Sequence, residues 1–198
     1  MKPKQLVICG CTLAALAVLP AMSAKAAARE CIVQKPSPAS YTWNFRREAN
    51  AVFKDIQFDA AQAKYHAGRL QSIASRPDAV SWVSDVSQFD QIRVAVDDMG
   101  RQLCRLETIR RVVEPWQQKT IDRIATDLTL LADNTQHALA FGDTHRETLW
   151  VPAFQRYLNR MCAEARDLTQ SANDAVKYAK VDRQDRALRR EVNARSSS

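Results

Sequence analysis

The stretch FDQIRVAVDDMGRQLCRLETIRRVV, Phe89 to Val113, decides the fold. Its apolar side chains recur at Phe89, Ile92, Val96, Met99, Leu103, Leu106 and Val113, an alternating spacing of three and four broken only near its end. That period lays them along one seam of a helix, as in bundles with coiled-coil-like packing. Charged residues fill the positions between them. A strand would need a period of two, which this stretch lacks.

Three further stretches share the pattern. The first runs Phe45, Ala49, Val52, Ile56, Ala63, Leu70 and Ile73. The third gives Ile121, Ile124, Leu128, Leu131 and Ala138, and the fourth Phe154, Leu158, Met161, Ala165, Leu168, Ala172, Ala175 and Ala179. Pro77, Pro115 and Pro152 fall between them, and proline is tolerated in the first turn of a helix but not in its interior. Gly142-Asp143-Thr144 reads as a C-terminal glycine followed by a fresh N-cap. Each segment holds about 30 residues, hence about 45 Å of helix. Short connections make neighbours antiparallel, so the sequence predicts an all-α, up-down-up-down four-helix bundle with an extended N-terminal arm.

Composition agrees. The 198 residues include only four glycines, which favours helix over sheet. One domain of this size buries a core without metals or dense disulfides. The formal charge is +7. A mild excess of this kind permits anionic partners without demanding them.

The beginning of the chain has the layout of a secretory signal peptide. Lys2 and Lys4 precede an apolar run from Leu6 to Leu19, and small-residue exits follow at Ala24 and Ala26. The run is shorter than the ~20 residues a membrane span needs. Loss of Lys2, Lys4 and Lys25 with the leader lowers the charge from +7 to +4. An alternative reading makes Cys11 a lipobox cysteine. The chain thus divides into 1–26 signal peptide, 27–42 extended arm, 43–181 four-helix bundle and 182–198 charged, partly disordered tail. The expected location is periplasmic or secreted, with no transmembrane segment in the mature chain.

Cys31, Cys104 and Cys162 remain after processing. An odd count in an oxidising compartment suggests one bridge and one leftover thiol. The expected turn of the arm brings Cys31 alongside Cys104. Cys104 and Cys162 are separated by about 13 Å along the bundle, beyond the reach of a disulfide. The expected pair is Cys31–Cys104, with Cys162 free; Cys31–Cys162 is the alternative.

Some side chains stand out against the pattern. Trp43, Trp82, Trp116 and Trp150 each fall near a helix start, where indole plugs the end of a core or offers a platform to a partner. Asp59 and His66 occupy seam positions, as do Arg110 and Thr135. Counting turns places His66, Thr135 and Tyr157 at similar heights, a candidate ligand-binding group. Asp59 falls nearer Arg166, so Asp59, Arg110 and Arg166 read as buried polar residues joined in a hydrogen-bonded cluster. Beyond Ala179, Asp182, Arg186, Arg189 and Asn193 take the places of apolar residues. Asp182 with Arg186, and Asp185 with Arg189, keep the i,i+4 spacing of a solvated helix.

Catalytic patterns are missing from the sequence. No Glu-x-x-His pairs, Cys-x-x-Cys-His, phosphate loop or nucleophile elbow is present. No metal site and no cofactor is expected, although loose haem ligation by His66 or His137 with Met99 or Met161 fits the residue types. The basic residues Arg105, Arg110, Arg111 and those of the tail lack interleaved aromatics, so nucleic acid is not expected. The residues are read as an exported, non-enzymatic bundle that binds another macromolecule, an unknown protein or envelope component. Small-ligand or cofactor binding within the bundle is the alternative.

Overall fold

The computed structural model describes residues 44–74, 82–146, 149 and 151–196. The expected signal peptide and arm, with Cys31, Trp43, Pro77 and Trp150, lie outside these residues, as does the side chain of Trp82.

Four helices pack against one another, with no strand among the described residues. They are α1 (Phe45–Ala74), α2 (Trp82–Ile109), α3 (Pro115–Thr144) and α4 (Pro152–Ser196). A short 3-10 turn, Arg110–Val112, follows α2. The seams read from the sequence form the core. Every seam position quoted for α3 and α4 is buried, as are all seven of the Phe89–Val113 stretch. On α1 the buried stripe also takes in Phe53, Ala60 and Ala67, while Phe45 and Ile73 at its ends are half-buried.

Local chemistry sets the helix starts. Asn44 Oδ1 accepts the Arg47 amide at 3.0 Å and so caps α1. Pro115 opens α3, where Glu114 and Gln117 form a reciprocal capping box. Pro152 opens α4. The third helix ends later than the glycine suggests. Gly142 is buried within the last turn, and α3 runs on to Thr144. The Thr144 hydroxyl donates to the Ala140 and Phe141 carbonyls, and the His145 amide donates to Phe141 O at 3.0 Å. With those carbonyls satisfied, no left-handed residue is needed, and none has positive φ among the described residues.

Cross-helix hydrogen bonds fix direction. Along α1, Gln57 donates to Asn173 at 2.6 Å, Thr169 donates to Ala60 O at 3.1 Å, and Gln71 donates to Asn159 at 2.8 Å. Numbers rise on α1 as they fall on α4, so these helices run antiparallel. Arg105 donates to Glu48 and Gln102 to Asp59, with His66 paired to Gln88, giving the same opposition between α1 and α2. Ser171 with Asp127 and Asn134 with Glu164 do so for α3 and α4.

The fourth helix is the longest, at 45 residues. Beyond Ala179 its residues are mostly exposed, yet it stays helical to Ser196. The expected pairs form: Arg186 Nε donates to Asp182 at 3.0 Å and Arg189 Nε to Asp185 at 2.8 Å.

Candidate functional site

The side chains singled out in the sequence do not converge. His66 Nδ1 meets Gln88 Oε1 at 2.9 Å on the α1–α2 side. Thr135 is buried, but its hydroxyl donates to Leu131 O of its own helix at 2.7 Å. Tyr157 stacks with His137 at 6.2 Å between centroids and leans on Phe141 at 5.9 Å. The three residues expected at equal heights are not joined to one another: His66 pairs with Gln88, Thr135 with its own helix and Tyr157 with His137.

The expected buried cluster is corrected too. Arg166 is exposed and pairs with Asp167 at 3.5 Å, not with Asp59. Asp59 accepts from Gln102 at 2.7 Å. Arg110 sits on the rim of the 3-10 turn, paired with Glu107 and Asp122. Helix phase explains the misplacement of Arg166. It follows the seam residue Ala165 by one position, about 100° around the helix, which turns it to water. Among the described residues no group of three or more His, Cys, Asp or Glu could hold a metal ion.

The buried polar residues lie elsewhere. Gln117 is fully buried at the shared end of α1, α3 and α4. Its amide donates to Asn50 Oδ1 at 2.8 Å and Arg46 O at 3.2 Å, while its oxygen accepts the Glu114 amide at 3.0 Å. Around it, Glu114 accepts from Arg186 at 3.1 Å and lies 3.7 Å from Arg46, which in turn lies 3.9 Å from Asp182. This network ties the first turn beyond Ala179 back to the bundle. Its sequence signal was available: Glu114-Pro115-Trp116-Gln117 spells a capping box across a proline start. Trp116 is half-buried beside it, 4.6 Å from Tyr178 and 6.1 Å from Phe53 between ring centroids.

One acid that is buried and another that is half-buried each hold a carboxylate oxygen that is out of contact with water and has no hydrogen-bond partner among the described residues. Asp85 is 1% exposed, and its Oδ1 has no hydrogen-bond partner among the described residues. Burial pushes its carboxyl up to about 6. Glu164 accepts from Asn134 at 2.6 Å through one oxygen and leaves the other buried and unpartnered. Burial pushes it up to about 6 as well, against the opposing pull of Asn134.

The outward-facing feature is the far part of α4. Tyr178, Val181, Leu188 and Val192 are 53–64% exposed. Their spacing of three, seven and four puts them on one stripe of the helix, with Asp185 inside it. This stripe is a different one from the seam that ends at Ala179. On the other side of α4 a cleft of about 580 Å³ opens against the start of α1, lined by Arg46, Arg47, Lys54, Asp182, Arg183 and Arg190, with Asn44, Asn50 and Asp55 among the remaining residues.

Comparison with protein families, curated proteins and solved structures returns no match. The reading of function therefore rests on these surfaces alone. Cys162 is a free, half-buried thiol, whereas Cys104 is not free.

Proposed function

We propose that this chain is an exported, non-enzymatic helical-bundle protein that binds another macromolecule, an acidic protein seated on the far part of α4. The single observation that carries the reading is the stripe of Tyr178, Val181, Leu188 and Val192, exposed on a helix that runs past the core. An isolated helical extension of this length is marginal in water and gains from a packed partner. Its charge points to the kind of partner. Residues 177–196 carry seven Lys or Arg against three Asp or Glu, so two copies of the segment repel while an acidic surface is attracted.

Export is supported by Lys2, Lys4 and the apolar run that follows them. No helix among the described residues is long and apolar enough to cross a membrane. A Cys31–Cys104 bridge belongs to the same proposal, with Cys162 left over. Non-reducing peptide mapping of the processed protein tests it, and a Cys31–Cys162 peptide overturns it.

The binding proposal is tested by affinity capture from the native envelope, using the processed protein and its Val181→Asp/Leu188→Asp variant. The expected result is an acidic protein retained by the first and lost with the second, while the variant keeps its helical circular dichroism. Retention of the same protein by both, or a bait that sediments as a dimer through this stripe, overturns the reading.

A further inference from the structure

The cleft between α1 and α4 has an imbalance that the fold does not explain. Five cations, Arg46, Arg47, Lys54, Arg183 and Arg190, line it against two carboxylates, Asp55 and Asp182. Asp182 is already engaged by Arg186 and Arg46, and the nearby Glu114 by the same two arginines. Arg47, Lys54, Arg183 and Arg190 form no ion pair among the described residues.

Register makes the imbalance sharper. The Gln57–Asn173 and Gln71–Asn159 bonds set α1 against α4 so that Arg47 comes level with Arg183. Two guanidinium groups thus face one cleft from opposite helices. Arg183 and Arg190 lie seven residues apart on α4, about 10.5 Å along the axis. Arg190 is braced by its Nε bond to Arg186 O at 3.2 Å, which leaves its terminal nitrogens to reach outward. The α1 N-terminus beside Arg46 and Arg47 adds the positive end of a helix dipole.

We propose that this cleft binds an oligophosphate group, with Arg47 and Arg183 gripping it from opposite sides and Arg190 and Lys54 at its ends. Guanidinium forks match phosphate oxygens in pairs, which is why arginine dominates such sites. The volume, about 580 Å³, suits more than one phosphate and falls within the usual span of ligand clefts, about 300–1,000 Å³. Asp55 limits how far the charge extends along α1. The site is separate from the apolar stripe: Arg183 and Arg190 each follow a stripe residue by two positions, about 200° around the helix. Either surface can therefore fail its test while the other stands.

The test is calorimetric titration of the processed protein with sodium tripolyphosphate and with inorganic phosphate. Flotation with vesicles of phosphatidylglycerol and phosphatidylcholine, against phosphatidylcholine alone, runs alongside. Arg183→Gln/Arg190→Gln and Arg47→Gln remove the grip, and Arg123→Gln on the exposed face of α3 is the control, matched in charge to Arg47→Gln. Saturable binding of tripolyphosphate is expected, about tenfold tighter than phosphate and weakened about tenfold by either cleft variant, with the control unchanged. Binding of anionic vesicles with the same variant pattern, but no binding of tripolyphosphate, overturns the oligophosphate site in favour of lipid headgroups. Equal weakening by Arg123→Gln, or no saturable binding in either arm, overturns the proposal.

Discussion

Leu130 and Leu131 are neighbours on α3 in opposite surroundings: Leu130 is 47% exposed and Leu131 fully buried. One step along a helix turns the side chain by about 100°, so the same residue type faces water at one position and the core at the next. Leu131→Ala is expected to cost about 3 kcal/mol through lost burial and the cavity left behind. Leu130→Ala should stay within about 0.5 kcal/mol of the parent. Urea denaturation of both variants measures the contrast, and equal costs would contradict the placement of the α3 seam.

Gln117 holds three hydrogen bonds at the end of the bundle where α1, α3 and α4 meet. Gln117→Leu keeps the volume but leaves Asn50, Arg46 O and the Glu114 amide short of a partner. A loss of about 2 kcal/mol is expected, with a fall in Tm of about 6 °C. A thermal scan that shows no fall would remove the network as a structural element.

Asp85 and Glu164 should make stability depend on pH in an uncommon direction. Their folded carboxyls are raised to about 6, from ordinary values of 3.8 and 4.5. The fold therefore binds more protons than the unfolded chain between about pH 4 and pH 6. Their contribution is fully present below about pH 4 and is lost as pH rises through 6. Asp85→Asn/Glu164→Gln should accordingly gain stability relative to the parent at pH 7.5, on the order of 1 kcal/mol, and show less gain at pH 4.5. Paired denaturation curves at the two pH values check this; a difference independent of pH would contradict the desolvation of the two carboxyls.

Gly68 and Gly100 lie inside α1 and α2, and a Cβ added at either meets nothing within 4 Å. Neither has positive φ. Alanine at each should stabilise the fold by about 0.5–1 kcal/mol, because the unfolded chain loses freedom and the helix loses none. A rise in Tm for the double variant is the expected readout.

The core was legible because a seam repeats. Ile121, Ile124, Leu128 and Leu131 advertise their face through spacing alone, and tertiary packing agrees with it. Polar placements were harder, since they depend on phase within a single turn. Arg166 follows Ala165 by one position and swings to solvent, while Gln117, unremarkable by type, becomes fully buried. Heights counted along helices brought His66, Thr135 and Tyr157 together on paper, but the Asn134–Glu164 register sets Thr135 level with Ala163, about 9 Å along the axis from Tyr157. His66 turns to Gln88, Tyr157 turns to His137, and Thr135 bonds its own helix. The exposed stripe on α4 was missed for a related reason. Tyr178 and Val181 flank the old seam at Ala179 on a shifted face, so the loss of one stripe concealed the start of another.

Both proposed surfaces require the far part of α4 to be a solvated helix beyond its anchor at Asp182 and Arg186. Residue-resolved hydrogen–deuterium exchange on the isolated protein reads this directly. Amides from Leu158 to Ala175 should exchange only with global unfolding, and those beyond Leu188 should exchange by local opening many orders of magnitude faster. Protection at the global level all the way to Ser196 would contradict it, because a helix so protected already has a partner.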